Sequence, residues 1–207
     1  MIITKIQSKD NKRYEITTDE QFSFVLYKGE LRLYKLKEGD EIPLNIYEEI
    51  FNNVLPKRAK LRAMNLLKVR PYTERELNDK LKGSGYPDQI VNVALDYVKG
   101  YGYVNDNQYA LDYIYTYKDR KNKSRLTQDL LKKGVSKDII DNALCDELGD
   151  EGIEYEKEQI LSFIKKKRFD SNTWSYEEKM KLLASLYRKG YSMDLAKKLL
   201  DITSDYL

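Results

Sequence analysis

The sequence predicts a mainly α-helical protein, tandem three-helix repeats forming an elongated curved array, with a small antiparallel β-sheet at its N-terminus. Three observations carry that expectation. Glycines Gly85, Gly134 and Gly190 stand in matching apolar surroundings, the mark of an internal repeat. Short β-branched and aromatic runs are confined to the first 45 residues, which separates a sheet from the helical remainder. Charged residues make up 34% of the 207 and hydrophobic ones 41%, a balance that calls for a large surface relative to the core.

Residues 1–45 read as the sheet subdomain. Ile2, Ile3 and Ile6, then Tyr14 and Ile16, then Phe22, Phe24 and Leu26 fall in three short strands, with a polar turn at Ser8, Lys9, Asp10 and Asn11. Three strands with one apolar face are about the minimum for stability, so the sheet is expected to pack on a helix. Leu31, Leu33 and Leu36 suggest a short element ahead of Pro43. Residues 46–69 then form a linking helix: Ile46, Ile50, Phe51, Val54, Leu55, Ala59, Ala63, Leu66 and Leu67 recur at helical spacing, interrupted at Pro56.

The first repeat is expected over 70–115, the second over 116–150 and the third over 151–207. Pro71 ends the linking helix, and Thr73 with Glu76 three residues on makes a capping box for the next. Leu77 and Leu81 share one face of that helix. Gly85 and Pro87 lead into another with Ile90, Val91, Ala94, Leu95 and Val98 inward, and Asp106 is expected to cap a third carrying Tyr109, Ala110, Tyr113 and Ile114. With the three glycines aligned, leucines stand four before (Leu81, Leu130, Leu186) and eight before (Leu77, Leu126, Leu182). Apolar residues stand five after (Ile90, Ile139, Leu195) and ten after (Leu95, Leu144, Leu200). The later copies share Lys133-Gly134-Val135-Ser136 and Lys189-Gly190-Tyr191-Ser192, with the serine as N-cap. These glycines are read as structural turns that need positive φ.

The motifs Arg70-Pro71-Tyr72-Thr73-x-x-Glu76-Leu77-x-x-Lys80-Leu81, Gly102-Tyr103-Val104-Asn105-Asp106-x-x-Tyr109-Ala110 and Leu130-x-x-Lys133-Gly134-Val135 resemble those of the RecX family, bacterial regulators of the RecA recombinase. The likeness covers roughly residues 60–200 and is looser in the third copy. Tyr109 stands where phenylalanine is more usual, and Lys123-Ser124-Arg125 replaces a commonly glycine-bearing turn. The resemblance implies a non-enzymatic regulator that binds the RecA filament and mainly inhibits its assembly and ATPase activity, within homologous recombination, DNA repair and the SOS response.

Charge narrows the partner from the residues themselves. Residues 57–145 hold 18 Lys and Arg against 11 Asp and Glu, whereas the segments on either side are each slightly acidic. The expected partner-binding surface comprises Arg70, Arg75, Lys80, Lys118, Arg120, Lys121, Lys123, Arg125, Lys132 and Lys133, with a secondary run at Lys165, Lys166, Lys167 and Arg168 behind Glu151, Glu154, Glu156 and Glu158. Lys57, Arg58, Lys60 and Arg62 extend the basic stretch on the linking helix. Such a surface suits DNA phosphates or an acidic protein groove, and weak, non-specific contact with single- or double-stranded DNA is expected. Among 18 tyrosines, Tyr113, Tyr115 and Tyr117 alternate on a helix, so at least one faces outward.

Several classes are disfavoured. The chain lacks histidine, and it shows no phosphate-cradling glycine loop, metal-ligand cluster or nucleophile paired with a base. No enzyme activity, cofactor or metal is expected. The single cysteine, Cys145, reads as a small core residue. No apolar run suggests a membrane span, so a cytoplasmic monomer is expected. A helix-turn-helix reader would want base-reaching side chains after the turn; Gln89 and Asn92, or Lys137 and Asn142, offer few. An independent helical DNA-binding protein, acting without recombinase, is the alternative reading.

Overall fold

In the computed structural model, residues 1–20, 22–149, 152–170 and 173–202 are described. The expected boundary at 150/151, Glu151 and residues 203–207 lie outside them. The chain divides into two compact units, Met1–Asn105 and Asp106–Leu207.

The first unit opens with strands β1 (Ile3–Ser8), β2 (Arg13–Thr18) and β3 (Ser23–Tyr27), paired antiparallel in the order β1-β2-β3. Ile16 pairs with Ile6 and Phe24. Helix α1 (Lys28–Leu33) follows β3 directly, and α2 (Leu44–Glu49) begins after Pro43. The break expected at Pro56 takes a milder form. A π-helical turn over Ile50–Val54 carries the helix into α3 (Leu55–Leu67), with Pro56 in the first turn of that segment, where its missing N–H costs little. Helices α4 (Glu74–Gly83) and α5 (Asp88–Gly100) complete the unit.

One continuous core joins sheet and helices. Ile3, Ile16, Phe24 and Leu26 meet Ile50, Phe51, Leu55 and Ala59, and these continue into Leu77, Leu81, Val91, Ala94 and Val98. Phe24 stands edge-on to Phe51 at 5.0 Å, and Tyr47 stacks on Phe51 at 4.4 Å. The sheet is thus packed on the linking helix, and Arg58 braces the junction. Its guanidinium donates to Glu30 Oε2 at 2.8 Å and to the Val25 carbonyl at 3.3 Å, and lies 3.9 Å from the Tyr27 ring. Arg58 therefore leaves the exposed basic stretch.

The second unit contains α6 (Asp106–Tyr117), α7 (Lys123–Lys132) and α8 (Lys137–Leu148), then α9 (Gly152–Lys166), α10 (Tyr176–Arg188) and α11 (Met193–Leu199). Asp106, expected as a cap, is the first helical residue. The cores start the first two groups one helix earlier than the repeat boundaries expected at 70 and 116, with α3 and α6, while the third starts with α9 (Gly152), beside the boundary expected at 151. Ala110 and Ile114 of α6 pack with Leu126, Leu130, Val135, Ile140 and Leu144, not with the first repeat. The third core joins Ile160 and Ile164 of α9 to Leu182, Leu183, Leu186, Ala196 and Leu200. The groups are α3–α5, α6–α8 and α9–α11, and the glycine turn joins the second and third helix of each.

Those turns are close copies. Gly85, Gly134 and Gly190 have φ of 90°, 89° and 88°. In each, the glycine N–H and the next residue's N–H donate back to the preceding helix. The next-residue bonds are Tyr86 to Leu81, Val135 to Leu130 and Tyr191 to Leu186, at 3.5, 3.1 and 3.2 Å. All six leucines at four and eight before are buried. On the far side the position six after is more deeply buried than the one expected at five: Val91, Ile140 and Ala196 are at most 1% exposed, while Ile139 and Leu195 are half-buried.

Thr73 closes the expected capping box with Glu76, accepting its N–H at 3.1 Å. Ser192 caps α11 through its hydroxyl, whereas Ser136 precedes α8 without a side-chain bond. Cys145 is exposed, contrary to its expected core place. Ala143 and Leu144 occupy the inward face of α8, and the next residue is turned about 100° away.

Candidate functional site

The basic residues between the second and third groups come together because two chain reversals meet. Helix α6 ends at Tyr117, and the amides of Arg120 and Lys121 both donate to its carbonyl at 2.9 Å. Asn122 then caps α7, its Oδ1 accepting the Arg125 N–H at 2.9 Å. Opposite lies the Gly190 turn. Asn122 Nδ2 donates to the Lys189 carbonyl at 2.6 Å, so one buried amide serves both as cap and as fastening to the next group. The approach is close enough to require glycine on steric grounds as well. A Cβ on Gly190 would stand 2.6 Å from Ser124 Oγ and 2.8 Å from Ser124 Cβ.

A second fastening lies on α9. The Tyr155 hydroxyl donates to the carbonyls of Lys118 and Lys121, the latter at 2.6 Å. Burial first, then the neighbouring Tyr191 and Asp119, push its pKa up to about 12. Glu156 accepts the Ser192 N–H at 2.6 Å.

Between these fastenings opens a cleft of about 650 Å³, lined among the described residues by the cations Arg120, Lys121, Arg125, Arg188 and Lys189 and by no Asp or Glu. Just behind the lining, Asp129 accepts from Lys121 at 2.9 Å and pairs with Arg125 at 3.2 Å. Lys121 also donates to the Tyr113 hydroxyl at 2.6 Å. Burial opposes charge on both members of the Lys121–Asp129 pair. The bonds to Tyr113 and Asp129 nevertheless raise the Lys121 pKa, and those from Lys121 lower that of Asp129. Lys121 is therefore a structural cation. Arg120, Arg188 and Lys189 have no ion pair among the described residues. Lys123 and Arg125 stand in the first turn of α7, where the helix dipole disfavours a cation by about 0.3–1 kcal/mol.

The other expected site residues lie elsewhere or are already engaged. Lys118 pairs with Glu147 at 3.1 Å, and the Lys133 ammonium sits 5.6 Å from the Tyr109 ring. Lys132 is exposed in the last turn of α7. In the first unit, Arg70 pairs with Glu76 at 3.4 Å and stacks 3.7 Å over Tyr72, while Arg75 and Lys80 are exposed on α4. Lys165 and Lys166 end α9, Lys167 lies 6.0 Å from the Phe163 ring, and Arg168 takes a left-handed conformation at φ 54°. Of the three alternating tyrosines, Tyr115 is exposed; Tyr113 and Tyr117 pack against each other at 4.6 Å. Arg188 and Lys189 are new to the site. The available signal was the Arg-Lys pair preceding Gly190, of which only Lys189 is read in sequence, as part of a turn.

No group of three or more His, Cys, Asp or Glu residues that could hold a metal occurs among the described residues, and no described helix is long and apolar enough to cross a membrane. The fold and the cleft define a tandem three-helix-repeat protein with a cationic cleft between two of its groups. The RecX first, second and third three-helix domains match residues 59–97, 105–144 and 154–200 in turn. A protein named regulatory protein RecX from Caldanaerobacter subterraneus subsp. tengcongensis is 31% identical over 98% of this chain and 100% of its own length. Another from Clostridioides difficile is 30% identical over 97% and 94%. A crystal structure of a regulatory protein RecX shares the fold, with a TM-score of 0.62, 24% identity and coverage of 98% and 99%. The chain belongs to the RecX family of regulatory proteins.

Proposed function

We propose that this protein binds the RecA recombinase filament and limits its assembly, lowering recombination and ATP hydrolysis without catalysing a reaction itself, as a monomer in the cytoplasm. The observation that carries the reading is the cationic cleft between the second and third groups, whose Arg120, Arg188 and Lys189 have no ion pair among the described residues. Exposed cations gain little from neighbours within the fold, so they are available to an anionic partner. A filament offers two such surfaces, nucleic acid phosphates and acidic protein side chains. Membership of the RecX family favours the recombinase as the partner.

The test is recombinase ATP hydrolysis on single-stranded DNA, with the protein added before or after filament assembly. Suppression below a 1:1 ratio, stronger on early addition, is expected. Charge reversal at Arg120 and Lys123, both exposed and outside the Asp129 network, should weaken suppression with an unchanged melting temperature. Full suppression by that variant would remove this surface from the contact.

A further inference from the structure

We infer that a second cleft, wholly within the first unit, binds a small free sugar phosphate, with its phosphate dianion held among Lys12, Arg58, Arg62 and Tyr86 and its hydroxylated body against Asn11 and Ser84. This goes beyond regulation of a filament, since it requires neither recombinase nor nucleic acid.

Three stretches that are distant along the chain build the cleft. The turn between β1 and β2 closes on Asp10, whose Oδ1 accepts the Lys12 and Arg13 amides at 2.9 and 2.8 Å and whose Oδ2 accepts Arg13 Nε at 2.7 Å. The Lys12 amide first, then the Arg13 side chain and amide, hold the Asp10 carboxyl down to about 2, so it stays ionised and keeps the turn closed. Arg58 and Arg62 stand one helical turn apart on the same face of α3. The Gly85 turn, pressed against Val25, brings Ser84 and Tyr86 to the same place. Together these stretches line a cleft of about 480 Å³, within the range of sites that enclose small ligands.

Charge selects the ligand. Among the described residues, Lys12, Arg13, Arg58 and Arg62 line the cleft with one carboxylate, Asp10. Glu30, paired with Arg58 at 2.8 Å, offsets one more cation, so two positive charges are left over. A phosphate monoester carries nearly two negative charges at neutral pH. Lys12 and Arg62 are exposed and have no ion pair among the described residues, so both are available, and the Arg62 guanidinium can meet two phosphate oxygens at once. Arg58 is instead a fixed charge. Besides Glu30 it holds the Val25 carbonyl and lies 3.9 Å from the Tyr27 ring, and its buried Nε has no hydrogen-bond partner among the described residues. A buried cation with an unspent donor gains from a negative charge close by, where the dielectric is low. Burial, with Tyr27 adding to it, raises the Tyr86 pKa against the charges of Arg58 and Arg62, so the hydroxyl keeps its proton and can donate to an anion. A nucleic acid strand suits this cleft poorly. Its phosphates carry one charge each and its bases need open ring faces. Tyr86 is half-buried, and one face of Tyr27 is taken by Arg58.

The test uses the full chain alone, isotopically labelled, titrated with ribose 5-phosphate and followed by the NMR shifts of its backbone amides. The amides of Lys12, Arg13, Ser84, Gly85 and Tyr86 should move together and report one dissociation constant. Dimethyl phosphate, a monoanion without the hydroxylated body, should bind about tenfold or more weakly, the expected loss of charge-assisted contacts. The variant Lys12→Ala/Arg62→Ala should weaken ribose 5-phosphate by about tenfold or more, at an unchanged melting temperature because both side chains are exposed and unpaired. Absence of shifts at those amides would overturn the assignment. So would equal affinity for dimethyl phosphate, undiminished binding by the double variant, or displacement of ribose 5-phosphate from these amides by an oligothymidylate, which would mark the cleft as a nucleic acid contact. Because no recombinase is present, any of these results leaves the ATP-hydrolysis test of filament regulation standing on its own.

Discussion

Asn122 concentrates two bonds in one buried side chain, and its replacement is the most informative perturbation of the second unit. Its Oδ1 caps α7 through the Arg125 N–H, and its Nδ2 reaches across to the Lys189 carbonyl. Loss of the cap costs about 1 kcal/mol. Leaving a partly buried carbonyl without its donor costs about another 1–2 kcal/mol. Asn122→Ala should therefore destabilise the protein by about 2–3 kcal/mol, measured as the free energy of unfolding in urea. Asn122→Ser separates the two contributions, because a serine can still cap α7 but cannot reach Lys189. It should recover about 1 kcal/mol of the loss. A cost below about 0.5 kcal/mol for the alanine variant, or wild-type stability for the serine variant, would refute the idea that this amide fastens the two groups.

Two further substitutions test the turns and the second fastening. Gly134→Val forces a β-branched residue to φ near 89° and should destabilise by about 1–3 kcal/mol; an unchanged melting temperature would contradict the turn. Tyr155→Phe removes the donor to the Lys118 and Lys121 carbonyls and should cost about 1 kcal/mol at neutral pH. It should also change the alkaline limb of the stability curve. The folded-state pKa of about 12 lies above the ordinary 10, so the native state keeps a proton that the unfolded chain has lost. Tyr155 thus contributes full stability below pH 10 and loses it as pH rises towards 12. Thermal unfolding of the wild type between those values should fall more steeply than that of the phenylalanine variant; parallel curves would show that Tyr155 is not responsible.

The residues that could be read in sequence are those whose role follows from local chemistry. The capping box at Thr73 and Glu76 and the positive φ of Gly85, Gly134 and Gly190 are properties of a few consecutive residues, and both are present. The leucines before each glycine were equally legible, because one helical face repeats every three or four residues. Grouping into three-helix units was less so. Spacing identifies α6 as a helix but does not say which neighbour receives Ala110 and Ile114. Cys145 was misplaced for a related reason: an apolar neighbourhood along the chain does not specify which way one side chain points. In the site, Arg120, Lys121 and Arg125 were found by charge density, yet Lys121 proved to be committed to Asp129 and Tyr113. Arg188 and Lys189 lie more than 60 residues away in sequence and reach the cleft only through tertiary packing.

The glycine turns do more than reverse the chain, and this links the repeat to the cleft. A Cβ on Gly85 would collide with Val25 of the sheet, and one on Gly190 would collide with Ser124 at the start of α7. In both places the turn is pressed against an element earlier in the chain, so the motif that shapes each group also joins it to what precedes it. At Gly190 that closeness brings the Arg188-Lys189 pair up to Arg120 and Arg125 and encloses a volume with cations on both sides. The turn's backbone is held by Asn122, while Arg188 Nε donates to the Ala184 carbonyl at 3.4 Å and the Lys189 ammonium lies 5.2 Å from the Phe163 ring. One residue thus serves two places: the carbonyl of Lys189 fastens the groups, while the residue also lines the cleft. Truncating Lys189 to alanine should alter the surface without loosening the joint, whereas changing Asn122 should loosen the joint and disperse the cations together.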